Sequence, residues 1–336
     1  MHAPLLVLAA LAAAPEKPSE VNLVPTIFGY AQVQLSAGLD GDGDGKASTT
    51  SLFLRRVRVG LKGEVLQDAG YVLTAELTTL DTLIRDAYLW TKLVPHHEIR
   101  LGQQKTQFGY ENPESDSQLY VIDRAFVSDE LSRGSDLRDL GIGVLGTWDL
   151  PANLGVDYQV TGVDGAGLNV LADDTPRKNV WGRVGASYKG DDWNAKLGVS
   201  GANGNRRFKA DPEAMTPAYT VVFNRLGVDL RADTPWFFAV AEGVVGTNDR
   251  GAGPARASGF YALAAGKTPW NLGPVARAEM YDPDLGAPGD RMVRYTLGAY
   301  ADFAKPANLR LMVNLELDAS QARSDHALVS WVQVVF

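Results

Sequence analysis

Residues 326–336 read H-A-L-V-S-W-V-Q-V-V-F, and the fold is decided on this stretch. Leu328, Val332, Val334 and Phe336 fall on alternate positions, the two-residue period of a strand, with polar Ser330 at the centre of that face. In water, an apolar strand at a chain end leaves a sticky sheet edge. In a membrane β-barrel the last strand pairs with the first and no edge remains. The rest of the chain should then repeat the same two-faced pattern.

It does so from Leu23 onward. In Leu309–Asp318, Leu309, Leu311, Val313, Leu315 and Leu317 point one way, and Arg310, Asn314, Glu316 and Asp318 the other. In 293–303, Val293, Tyr295, Leu297, Ala299 and Phe303 oppose Arg294, Thr296, Tyr300 and Asp302. Leu154–Val163 behaves likewise. Strands of a soluble sandwich average about five or six residues; these are about twice that, as a membrane crossing needs.

The connections give an independent test. Short links at 67–70, 94–97, 149–153, 190–192, 232–235, 267–271 and 305–308 alternate with longer polar ones. The longer set is 40–48, 109–136, 164–178, 202–218, 247–255, 282–289 and 319–325, with a brief exception at 79–82. The expected fold is all-β, an antiparallel up-and-down transmembrane barrel of about 16 strands, wide enough for an aqueous channel. Tyr71, Trp90, Trp148, Trp193, Trp236 and Trp270 border the short turns and are expected to form an interfacial girdle.

The 336 residues include 35 Gly and no Cys, which excludes disulfide scaffolds and thiolate metal sites. No apolar run is long enough for a transmembrane helix. A net charge of −8 argues against a nucleic-acid partner. Residues 1–14, M-H-A-P-L-L-V-L-A-A-L-A-A-A, read as a secretory signal cleaved near Ala12 or Ala14, although only His2 stands where a basic residue is usual. Residues 15–336 are then the barrel.

Three runs occur in order: Arg55-Arg56-Val57-Arg58-Val59-Gly60-Leu61-Lys62-Gly63, Arg85-Asp86-Ala87-Tyr88-Leu89, and 101–111, L-G-Q-Q-K-T-Q-F-G-Y-E. Ile122-Asp123-Arg124-Ala125-Phe126-Val127 and Arg138-Asp139-Leu140-Gly141-Ile142 follow. This succession resembles the phosphate-selective porin O and P family of Gram-negative bacteria. The resemblance implies a homotrimeric channel in the outer membrane, surrounded by its lipid, with the third outer loop folded into the lumen. The terminal strand ending in Phe336 similarly resembles the signal read by the barrel-assembly machinery. The link 109–136 stands where the inward loop belongs. Its stretch 119–131, L-Y-V-I-D-R-A-F-V-S-D-E-L, is itself too apolar for a solvated loop.

Parity assigns lumen faces. Arg56, Arg58 and Lys62 form a ladder on one strand; Arg100, Arg183, Lys189, Lys196, Arg225, Arg277, Arg294 and Arg310 take inward parity on others. Inward acids are Glu64, Glu76, Asp86, Asp157, Asp229, Glu279 and Glu316. Such charges either pair and solvate the wall or concentrate small polar and anionic solutes, since guanidinium binds carboxylate and phosphate bidentately. The resemblance associates phosphate preference with lysines in the third loop, yet 109–136 has none. That link carries Glu111, Glu114, Asp116, Asp123, Asp129, Glu130 and Asp136 against Arg124 and Arg133, with Lys105 just before it. A negative loop facing a positive wall predicts a transverse field and weak selectivity. Arg55 falls on the lipid face by parity, which calls for snorkelling, a bulge or a subunit interface.

Residues 40–46, D-G-D-G-D-G-K, have the spacing of a calcium-loop start, but Ser51 stands where the closing Glu belongs. His96 and His97 lack a third ligand nearby, and no His is set beside a Ser as a nucleophile's base. No metal, cofactor or catalytic residue is therefore expected. The alternatives to a channel are a barrel lipase or protease and a non-conducting structural or adhesive barrel.

Overall fold

The computed structural model describes residues 23–39, 50–79, 83–131, 138–170, 177–208, 219–249, 254–303, 308–320 and 326–336. The predicted signal 1–14, the calcium-like run 40–46, Arg133 and Asp136 lie outside these.

Sixteen strands close one barrel. The first eight are β1 (Thr26–Gly38), β2 (Thr50–Leu66), β3 (Ala69–Glu76), β4 (Ile84–Thr91), β5 (His97–Lys105), β6 (Arg138–Leu150), β7 (Leu154–Val163) and β8 (Asn179–Lys189). The second eight are β9 (Asn194–Phe208), β10 (Tyr219–Asp233), β11 (Phe237–Asp249), β12 (Pro254–Gly266), β13 (Leu272–Asp282), β14 (Met292–Phe303), β15 (Leu309–Asp318) and β16 (Ala327–Val335). Every pair is antiparallel between chain neighbours, and β16 returns to β1 from Tyr30↔Val335 to Gly38↔Ala327. Two backbone hydrogen bonds between Gly29 and Phe336, 2.8 and 3.0 Å, extend that seam, so the terminal stretch does close the barrel.

The faces follow the predicted parity. On β10, Leu226, Val228 and Leu230 are exposed while Arg225 and Asp229 are buried. Apolar outside and charged inside is the inverse of a soluble protein and fits a wall between lipid and lumen. Trp148, with its ring 5.4 Å from both Tyr158 and His97, borders a short turn, as do Trp193, Trp236 and Trp270. Trp90 departs from the girdle expectation. It pairs with inward Arg100, and its ring covers Gly70 from the lumen side.

Two bulges matter for the charge pattern. Between β1 and β2 the register passes from Gln32↔Arg56 to Val33↔Leu54, leaving Arg55 as the extra residue. Between β3 and β4 it passes from Thr74↔Asp86 to Ala75↔Ile84, leaving Arg85 extra. One inserted residue lets two successive side chains share a face. Arg55 therefore turns from the lipid into the lumen, and buried Arg85 does the same.

Candidate functional site: the loop-narrowed lumen

Between β5 and β6 the chain enters the barrel and ends in one short helix, α1 (Phe126–Leu131). Gly109, at φ 67°, opens the entry in a conformation that favours glycine. A Cβ there would stand 1.9 Å from a Glu242 carboxylate oxygen. That carboxylate accepts the N–H groups of Tyr110 and Glu111, each 3.1 Å, and the Tyr261 hydroxyl at 3.2 Å. Ser200 Oγ accepts from Gly109 N at 2.9 Å, Asn314 Oδ1 from Ile122 N at 2.7 Å and Glu279 from Phe126 N at 2.6 Å. All of these acceptors sit on inward positions of the barrel wall.

The loop's apolar side chains explain the rest of its position. Val121, Ile122, Ala125, Val127 and Leu131 are buried in one cluster with inward-facing Phe238, Tyr261 and Tyr300. Tyr120 rests 5.1 Å from the rings of both Phe238 and Tyr300, and Phe108 meets Trp181 edge-on. The loop thus packs against the β8–β14 wall. Open space remains against β1–β5, as a cavity of about 460 Å³, and against β6–β10, as one of about 360 Å³ lined by Asp157, Gln159, Lys196 and Arg231.

The lumen arginines that touch the loop divide into two groups. Those of β10 and β13–β15 clamp loop carbonyls: Arg225 to Leu131, Arg277 to Asp123 at 2.6 Å, Arg294 to Arg124 at 3.0 Å and Arg310 to Leu119 at 3.3 Å. Three of these also pair with wall acids: Arg277 and Arg294 with Glu279, and Arg310 with Asp302. Arg277 has a side chain with no exposed surface, so it lines no open channel.

The second group gathers the loop's carboxylates. Asp116 meets Arg124 at 2.9 Å, Arg56 at 3.3 Å and Arg58 at 3.5 Å, and Asp123 meets Arg55. Burial alone would raise the Asp116 carboxyl, but Arg124 and Arg56 hold it well below the usual carboxylate range. For Asp129 in α1, burial followed by Glu111 outweighs the pull of Arg124 and Arg294 and pushes the carboxyl up to about 7. The expected transverse field therefore gives way to contact pairing. Loop and wall charges meet at hydrogen-bond distance instead of facing one another across water.

The remaining candidates fall as follows. Glu111 accepts from Ala125 N at 2.9 Å, and Lys105 holds the carbonyls of Asn112, Pro113 and Glu114 at 3.2, 3.3 and 2.6 Å. Lys105, at the end of β5, thus braces the loop from the wall, Glu111 also lies 3.8 Å from Arg277 of β13, and the Glu114 side chain is half-buried. Arg183 bridges Asp157 and Asp229, and Lys196 and Lys189 pair with Asp157 and Asp149. Lys62 is exposed to the cavity against β1–β5, and Arg100 lies beside it with one bond to Glu98. Arg85 went unassigned in the sequence, because only the bulge brings it inward.

His97 Nδ1 lies 2.7 Å from the Pro95 carbonyl oxygen, and His326 accepts from Asp318 N. Among the described residues no group of three or more potential metal ligands converges.

The fold is similar to solved outer-membrane barrels. The anion-selective porin from Comamonas acidovorans aligns at TM-score 0.63 and 15% identity, covering 93% of this chain and 99% of that one. OmpF of Salmonella typhi, solved with daunomycin, aligns at TM-score 0.64 and 12% identity over 93% and 97%. OmpT of Vibrio cholerae, an outer membrane protein in its trimer form, aligns at 0.61 and 12% over 93% and 99%. No curated protein sequence matches the chain. Residues 29–209, more than half of the chain, match the model of the phosphate-selective porin O and P family. Together with the closed sixteen-strand barrel and its loop-narrowed lumen, this match establishes that the chain belongs to that family and forms a passive channel in the Gram-negative outer membrane.

Proposed function

We propose that the channel is a homotrimer that passes small polar solutes with a modest preference for anions and holds no tight phosphate site. The observation that carries this is the pairing of Asp116 and Asp123 with Arg55, Arg56 and Arg58. With the loop carboxylates engaged, the cavity against β1–β5 is lined by Arg58, Lys62, Arg100, Lys105 and Arg138 against Asp86 alone. A cationic wall next to low-dielectric protein concentrates anions. The trimer is supported by the trimer form of the similar Vibrio cholerae protein and by the family resemblance.

In planar bilayers with asymmetric KCl, the reversal potential should take the sign of anion selectivity, and channels should insert and close in three equal steps. Charge reversal at Lys62→Glu with Arg100→Glu should move the potential toward cation selectivity. Micromolar phosphate block of the chloride current would contradict the weak-selectivity reading.

Assembly is proposed to run through the terminal strand. Deleting Phe336 removes both backbone bonds to Gly29 and is expected to lower the folded, heat-modifiable protein in the outer membrane several-fold. Wild-type levels after that deletion would sink this role.

A further inference from the structure

The cavity against β1–β5 has an amphipathic lining, which a purely ion-conducting wall would not need. Three cations lie over three aromatic rings there: Arg58 over Tyr30 at 5.3 Å, Lys62 over Phe28 at 5.6 Å and Arg100 over Tyr88 at 5.1 Å. Gly60 makes the arrangement possible, since a Cβ at that position would stand 2.4 Å from the Phe28 ring lying on it. Between the two outer pairs comes Val72, opposite Lys62 on one side and Tyr88 on the other. It is an aliphatic residue on the lumen face of β3, whose other inward positions are Gly70, Thr74 and Glu76. Inward positions of outer-membrane barrels are usually polar, so this apolar floor calls for an explanation.

The cations around the floor differ in how far they are engaged. Arg58 is held by Glu76 and Asp116, Arg138 by Asp86 at 2.9 Å, and Lys105 by loop carbonyls. Lys62 pairs with no carboxylate among the described residues, and Arg100 commits only Nε, to Glu98 at 2.6 Å. The available donors thus stand at the two ends of an apolar strip. Lys62 on β2 and Arg100 on β5 are three strand spacings apart, about 14 Å across the sheet, and two residues apart along it.

That layout discriminates among anions. Phosphate needs several donors converging on one point, and here they are spread apart with hydrocarbon between them. A hydrated cation meets the wrong charge. A flat carboxylate can place its charge at Lys62 or Arg100 and its ring on Val72 between the Phe28 and Tyr88 rings, where aromatic contacts add to burial. We propose that this cavity is a binding subsite for small aromatic carboxylates, a substrate class that rests on the anion-preferring channel reading above.

Benzoate and acetate, which share a charge and differ in the ring, serve as probes. Each is titrated against the chloride current of the intact channel in planar bilayers at matched ionic strength. Benzoate is expected to reduce the current at a concentration at least roughly tenfold below that of acetate, the difference that burial of a phenyl group allows. Val72→Asn should erase most of that gap while leaving acetate unchanged. Lys62→Gln should weaken both probes. Both variants are first checked for the heat-modifiable folded form, which neither position should disturb. Equal potency of benzoate and acetate in the wild type, or an undiminished gap in Val72→Asn, would overturn the subsite but leave anion preference standing. A cation-selective reversal potential would overturn the anion preference, and the subsite with it.

Discussion

Replacing residues 111–130 by a short Gly-Ser linker is expected to raise single-channel conductance at least roughly twofold and to move selectivity strongly toward anions. The barrel should survive, because the loop contributes nothing to the closed sheet of sixteen strands. A sixteen-strand barrel without an occupying loop leaves an aqueous channel. The deletion removes Glu111, Glu114, Asp116, Asp123, Asp129 and Glu130 along with Arg124, six carboxylates against one guanidinium. It also frees Arg277, Arg294 and Arg310 from loop carbonyls, and Arg55, Arg56 and Arg58 from loop carboxylates. Both effects increase positive potential in a widened lumen. Single-channel recording together with reversal potentials checks the two arms separately. Unchanged conductance would mean that the loop does not limit the channel, and raised conductance with unchanged selectivity would mean that its carboxylates are electrically silent.

The barrel was legible because a transmembrane strand carries its environment in its parity. On β15 the predicted faces hold residue for residue, with Leu311 and Val313 outside and Asn314 and Glu316 inside. Parity fails wherever a single residue is inserted. Arg55 reads as lipid-facing and Arg85 carries no assigned face until the registers of β1–β2 and β3–β4 show each to be a bulge. Nothing local in the sequence marks an inserted residue, although a charge that strict alternation would place in lipid hints at one. The loop's burial was legible from Val121, Ile122 and Phe126, which no solvated loop would carry. Its attachment was not. Arg225 and Arg277 hold main-chain carbonyls of Leu131 and Asp123, and every residue offers a carbonyl, so side-chain identity cannot reveal the partner. The expected transverse field failed for the same reason. Counting acids in the loop and bases on the wall gives the charges without saying that they touch.

Within that pairing, Asp116→Asn is expected to have the largest effect of any single substitution. One carboxylate serves Arg56, Arg58 and Arg124, with only 3% of its side chain exposed. Removing one partner of a buried ion pair costs about 3–5 kcal/mol, because the charges left behind lie out of water. The amide keeps the shape and one acceptor, so the barrel should still form, held by its sheet. The loop bears the loss. Arg124 also braces the carbonyls of Glu111 and Glu114, and with Asp116 neutral its guanidinium and those of Arg56 and Arg58 repel. The loop should then sample positions away from the β2 wall, seen as open-channel noise and faster proteolysis of the loop. Anion selectivity should increase beyond that of the parent. Acid should reproduce the phenotype in the wild type. The Asp116 carboxyl lies well below its ordinary value, so its stabilising contribution is complete above the unfolded-state value near 3.9 and lost only as pH falls through the depressed one. The wild type should accordingly stay quiet down to about pH 4, with noise appearing only in stronger acid, while Asp116→Asn should be noisy at every pH. A quiet, parent-like Asp116→Asn channel at neutral pH would show that the three arginines find other partners and that Asp116 does not hold the loop.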